Sequence, residues 1–140
     1  MNTASNKPIQ QETQKRAQGE TILVLEDDPN LRSSTAAALK RLGYQVIEAT
    51  SADAALLVFE EEADNIDLLL SDVVLTASVS GPELAARAKS LYPKLKVVFM
   101  SGYTAELYEH ERIPGFDETL LTKPFELADL ARAINDALAA

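Results

Sequence analysis

Over most of this chain, short apolar runs alternate with stretches of helical periodicity. The segment TILVLE (21–26) is apolar, partly β-branched and ends in an acid, the pattern of a buried strand. Asp28 then offers a helix N-cap, and Pro29 suits the first helical position. Leu31, Ala38, Leu39 and Leu42 share one face of the helix that follows, and Gly43 ends it. Tyr44–Ala49 predicts a second strand. Ser51 caps a helix with Ala55, Val58 and Phe59 turned inward and Glu60–Glu62 turned to water. The run DLLLSD (67–72) is apolar on both faces, as expected at the centre of a parallel sheet. Beyond the loop VVLTASVSG, the pattern predicts a helix over 82–92, a strand over Leu95–Met100 and a short helix over Thr104–His110. A fifth strand at Glu118–Leu121 precedes an amphipathic helix, Glu126–Ala139, with Leu127, Leu130, Ala131, Ile134 and Leu138 inward.

Five strand-then-helix units in succession imply an α/β fold with parallel strands and right-handed crossovers. They are too few to close an eight-stranded barrel, so the sheet should be open and doubly wound. Ligand sites in such sheets lie beyond the carboxyl ends of the strands, near the switch in strand order. The polar, aperiodic residues 1–19 are expected to form a disordered tail or linker, leaving 20–140 as one domain.

The net charge of -9 argues against direct nucleic-acid binding, more so because Lys7, Lys15 and Arg16 lie in the tail. No run is apolar enough for a membrane span, and the N-terminus lacks a secretory h-region. With no cysteine, disulfides and thiolate chemistry are excluded, and a cytoplasmic location is expected.

The strand ends hold the candidate chemistry. Glu26, Asp27 and Asp28 end the first strand, Asp72 the third, Ser101-Gly102 the fourth, and the fifth leads into Lys123-Pro124-Phe125. Taken singly, each is an ordinary loop, cap or surface feature. Together they set carboxylates of two central strands face to face, which costs stability without a counter-ion. An all-oxygen site with few carboxylates suits Mg2+, whose open positions are usually completed by phosphate oxygens. Lys123 and Ser101 are then placed to hold those oxygens, an arrangement suited to phosphoryl transfer. Several of these carboxylates could accept the group. Asp72 is favoured because it stands alone on the middle strand, and a carboxylate nucleophile gives an acyl phosphate.

The segments ILVLEDDPNLR (22–32), DLLLSDVVL (67–75), SGPELA (80–85), VVFMSGY (97–103) and LTKPFELADL (121–130) together resemble the receiver domains of two-component response regulators. The resemblance covers roughly residues 20–139. It implies a flavodoxin-like (βα)5 fold with strand order 2-1-3-4-5. It also implies that Asp72 is the phospho-acceptor, with Asp27 on Mg2+ directly, Glu26 through water and the Val74 backbone carbonyl as a further ligand. Ser101 and Lys123 would bind the phosphoryl oxygens, and the Lys123–Pro124 bond would be cis. The donor would be a phosphohistidine on a histidine kinase or phosphotransfer protein, and the output a downstream protein.

Some residues depart from that family's pattern. Thr76 stands where proline is common, in a longer loop that looks like receivers attached to hybrid histidine kinases. Leu120 replaces a frequent switching aromatic, so output is expected through backbone shifts of the helix after the fourth strand, or through Tyr103 or Tyr108 instead. Val74 and Tyr103 suit the orienting of a hydrolytic water poorly, which implies slow self-dephosphorylation. His110, the only histidine, is expected in solvent. A haloacid-dehalogenase-type phosphatase would want a second acid at Val74. A nucleotide-binding domain would want a glycine cluster after the first strand, where there is none. The remaining alternative is a pseudo-receiver, a binding module of the same fold without phosphotransfer.

Overall fold

The computed structural model describes residues 19–73, 75, 80–102 and 120–140. Its strands are β1 (Thr21–Leu25), β2 (Gln45–Ala49), β3 (Leu68–Asp72), β4 (Lys96–Ser101) and β5 (Leu120–Thr122). Its helices are α1 (Pro29–Arg41), α2 (Ala52–Glu62), α3 (Gly81–Leu91) and α4 (Leu127–Ala139), with a 3-10 turn at Ala63–Asn65. The expected tail, the Thr104–His110 helix, and Val74, Thr76, Tyr103 and Tyr108 lie outside the described residues.

All strand pairings are parallel, and the order is β2-β1-β3-β4-β5. From β1 in the middle of the sheet the path steps to β2 at one edge and then crosses to the other side. The switch point therefore falls between the carboxyl ends of β1 and β3.

Alternation within each strand divides the core in two. Leu23, Leu25, Leu69, Val97 and Phe99 meet Ala55 and Phe59 of α2 and Leu84, Ala85 and Ala88 of α3. Ile22, Val24, Leu68, Leu70, Val98 and Met100 meet Leu39 of α1 and Leu130, Ala133 and Ile134 of α4 on the opposite face. Helices thus cover both faces, and β1, β3 and β4 are apolar on both faces up to their polar carboxyl ends.

Local signals set the helix ends. Asp28 Oδ1 accepts the N–H of Asn30 at 2.9 Å and of Leu31 at 3.3 Å, which starts α1. At its other end, Gly43 (φ 101°) donates to the Lys40 carbonyl and Tyr44 to that of Leu39, a Schellman closure. Ser80 and Glu83 form a reciprocal capping box at the start of α3.

One inward assignment is corrected. Leu127, placed on the buried face by periodicity, is 37% exposed. It occupies the first turn of α4, past the end of β5, and borders a groove of about 260 Å3 with Leu31, Ala38 and Phe125.

Two large apolar positions on α2 should respond differently. Phe59→Ala empties a fully buried site and should cost about 3–5 kcal/mol in urea denaturation. Leu57→Ala, at a residue 54% exposed, should stay within about 0.5 kcal/mol of wild type. Equal losses would contradict the assigned face of α2.

Candidate functional site

Adjacent central strands deliver the acidic groups. Leu25 of β1 pairs with Ser71 of β3, so Glu26 and Asp72 follow at the same edge of the sheet. Glu26 and Asp72 are buried, and Asp27 is partly buried. One carboxylate oxygen from each of the three lies within 4.8 Å of the others. Asp28 is exposed and engaged with the α1 N-terminus, so the acidic run divides into two site residues and a cap.

Lys123 arrives from the end of β5. Thr122 pairs with Ser101 of β4, and the Lys123 N–H donates to the Ser101 carbonyl at 2.7 Å. That bond holds the two strand ends together. The Lys123 ammonium then lies 2.7 Å from Glu26 Oε1 and 2.7 Å from Asp72 Oδ1. Glu26 Oε2 accepts the Asp28 N–H at 3.0 Å, which fixes the other side of that carboxylate. The Lys123–Pro124 peptide bond is cis.

The structure therefore brings Glu26, Asp27, Asp72 and Lys123 together, with buried Ser101 at the neighbouring strand end. Val74 falls outside the described residues. Sequence reasoning missed Gly81. A Cβ there would land on the Asp72 carbonyl oxygen, with Asp72 C and Val73 Cα 3.1 Å away. The Gly81 N–H also donates to the Val73 carbonyl at 3.0 Å. The first residue of α3 is thus seated on the strand end that carries Asp72, and only glycine fits. Its sole sequence signal was its place between a capping serine and a proline.

Electrostatics follow from this crowding. Burial, opposed by Lys123 and reinforced by the adjacent Glu26, raises Asp72 from its ordinary 3.8 to about 7. Burial alone would lower Lys123, but its bonds to Asp72 and Glu26 outweigh that and raise it above 10.5. Buried carboxylates in an all-oxygen set fit a hard divalent cation, and among the described residues Glu26, Asp27 and Asp72 form a cluster that could hold one.

The family model for the response regulator receiver domain matches residues 22–135. The response regulator receiver protein CpdR of Brucella abortus is 35% identical over 119 residues, covering 85% of this chain and 97% of CpdR. The sensor kinase CckA of the same species is 33% identical over 118 residues, covering 84% of this chain and 12% of the kinase. The crystal structure of a CckA hybrid histidine kinase receiver domain superposes with TM-score 0.71 at 35% identity, covering 84% of this chain and 98% of that one. A receiver protein from Sinorhizobium medicae gives TM-score 0.77 at 27% identity, covering 88% and 97%.

The raised Asp72 pKa has a defined sign in stability. The folded state binds this proton more tightly than the unfolded chain, so its contribution is complete below about pH 4 and is lost as pH rises through about 7. Asp72→Asn stays neutral throughout. Metal-free Asp72→Asn should be about 1–3 kcal/mol more stable than wild type near pH 8, with the gap closing toward pH 4. Urea denaturation at the two pH values measures this. A gap that does not change with pH would contradict it.

Proposed function

The chain belongs to the response regulator receiver domain family of two-component systems, and on that premise we propose that Asp72 is its phosphoryl acceptor. The donor is a phosphohistidine on a partner histidine kinase or phosphotransfer protein. Residues 20–140 form the receiver unit, and Mg2+ is held by Glu26, Asp27 and Asp72, with the Val74 carbonyl as a further ligand.

The observation that carries this reading is the Lys123 ammonium 2.7 Å from the carboxylates of both Glu26 and Asp72. An acceptor carboxylate must be reachable, ionised and faced by positive charge as phosphoryl oxygens approach. Asp72 is 7% exposed at the sheet edge, and Lys123 favours its ionised form. An Asp72 oxygen bonds to phosphorus as the phosphorus–nitrogen bond of the donor breaks, and the departing imidazole takes up a proton. Lys123 neutralises charge on the transferring oxygens, and Ser101 donates its hydroxyl to one of them. Mg2+, when bound, supplies the remaining positive charge at the same oxygens.

Phosphorylation replaces one carboxylate charge by a larger, oxygen-rich anion. Ser101 and Lys123 contact that anion only in the modified state, and both stand on the β4–β5 edge. Their movement shifts a two-state equilibrium of that edge toward a form read by a downstream protein. The role is that of a signalling switch, whose only chemistry is on its own aspartate.

Intact-mass measurement after incubation with acetyl phosphate and Mg2+ tests the proposal. Wild type should gain one phosphoryl group, about 80 Da; Asp72→Asn should gain none, and omission of Mg2+ should abolish the gain. Ser101→Ala should still be modified but show a weakened conformational response. No gain from acetyl phosphate or from a phosphohistidine donor would leave a binding module and contradict the acceptor role.

A further inference from the structure

We propose that Arg32 is a positioning residue for the acidic pair, setting the metal-binding direction of Glu26 and Asp27 through the peptide bond that joins them. The inference rests on the receiver reading above and concerns a residue outside the cluster. The β1 pairing with its neighbours runs to Leu25, so the Glu26 carbonyl lies just past the sheet ladder. Arg32 Nη1 donates to that carbonyl at 2.8 Å. Arg32 Nε lies 3.3 Å from Glu48 Oε1 on β2. One planar guanidinium thus joins α1, the end of β1 and β2.

Its anchorage is local. Asp28 caps α1, and the Arg32 N–H donates to the Asp28 carbonyl at 2.9 Å, the first helical bond. The helix therefore carries Arg32 back over the strand end from which it departs. On the other side, the Glu26 N–H donates to the Ala49 carbonyl at 3.4 Å. A change in ψ of Glu26 would turn this carbonyl and carry Asp27, with its Cα–Cβ direction, to a new orientation relative to Glu26. The Arg32 bond opposes that change.

A salt-bridge role predicts something different. The Glu48 partner is 39% exposed, and such a pair contributes about 0–1 kcal/mol. The sign of the effect on metal binding separates positioning from charge. Arg32 is a cation near a divalent-cation site, so Coulomb repulsion alone makes its removal tighten Mg2+ binding. Positioning makes its removal weaken binding.

Calorimetric Mg2+ titration of wild type, Arg32→Ala, Arg32→Lys and Glu48→Gln at fixed ionic strength tests this, with metal-free melting recorded for each. Both Arg32 variants should bind Mg2+ about 10-fold more weakly, the size typical of lost support behind a metal ligand. Glu48→Gln should stay within about threefold of wild type, because the Glu26 carbonyl bond survives. Metal-free melting should shift by less than about 4 °C. Arg32→Lys keeps the charge and most of the stem, and it decides the matter if Arg32→Ala fails to fold. Unchanged or tighter binding in Arg32→Lys, or weakening matched by a collapse in melting, would overturn the positioning role. A wild type that binds no Mg2+ would instead overturn the metal-site reading on which it rests.

Discussion

The Lys123 ammonium, 2.7 Å from carboxylates on two neighbouring central strands, is the contact on which the site depends. Buried like charges repel and are poorly solvated, so Glu26 and Asp72 could not share one sheet edge without a cation between them. Lys123 offsets part of that cost. The remainder is visible in Asp72, which is pushed up to about 7 despite its ammonium partner. A site left short of positive charge in this way favours a divalent cation, and that cation supplies the positive charge an approaching phosphoryl group needs. The same shortage that strains the metal-free fold thus directs the chemistry.

That contact requires the whole sheet. Glu26 leaves β1, Asp72 ends β3, and Lys123 follows β5, so three separate strands must stop at one edge. Apolar side chains on both faces hold those strands between helix layers. Finer devices then aim the groups: the Asp28 cap, the Lys123–Ser101 backbone bond, and the contact of Gly81 with the end of β3. Packing supplies rigidity and the strand ends supply reactivity.

Much of this was legible in the sequence because it was written in periodicity and in strand ends. Runs such as TILVL and DLLLSD are short and apolar on both faces, the pattern of buried strands in a parallel sheet. The carboxyl-end rule points to Glu26, Asp27, Asp28, Asp72, Ser101 and Lys123, while the choice of Glu26 and Asp27 over Asp28, like the strand order, comes from the resemblance. What stayed hidden depends on backbone proximity. Nothing in the pattern shows that Gly81 touches the Asp72 carbonyl, or that Arg32 reaches back to that of Glu26. Leu127 was misplaced for a related reason: periodicity gives a helix face but not where the sheet beneath it ends.

If the account is right, Asp72 is an unusual carboxylate before any metal or phosphate arrives. The direct measurement is a carbon-13 NMR titration of the Asp72 side-chain carboxyl, without and with saturating Mg2+. The account predicts a metal-free midpoint near 7 that moves down by roughly 2 or more units when the cation binds. A metal-free midpoint at the ordinary 3.8, unmoved by Mg2+, would contradict it.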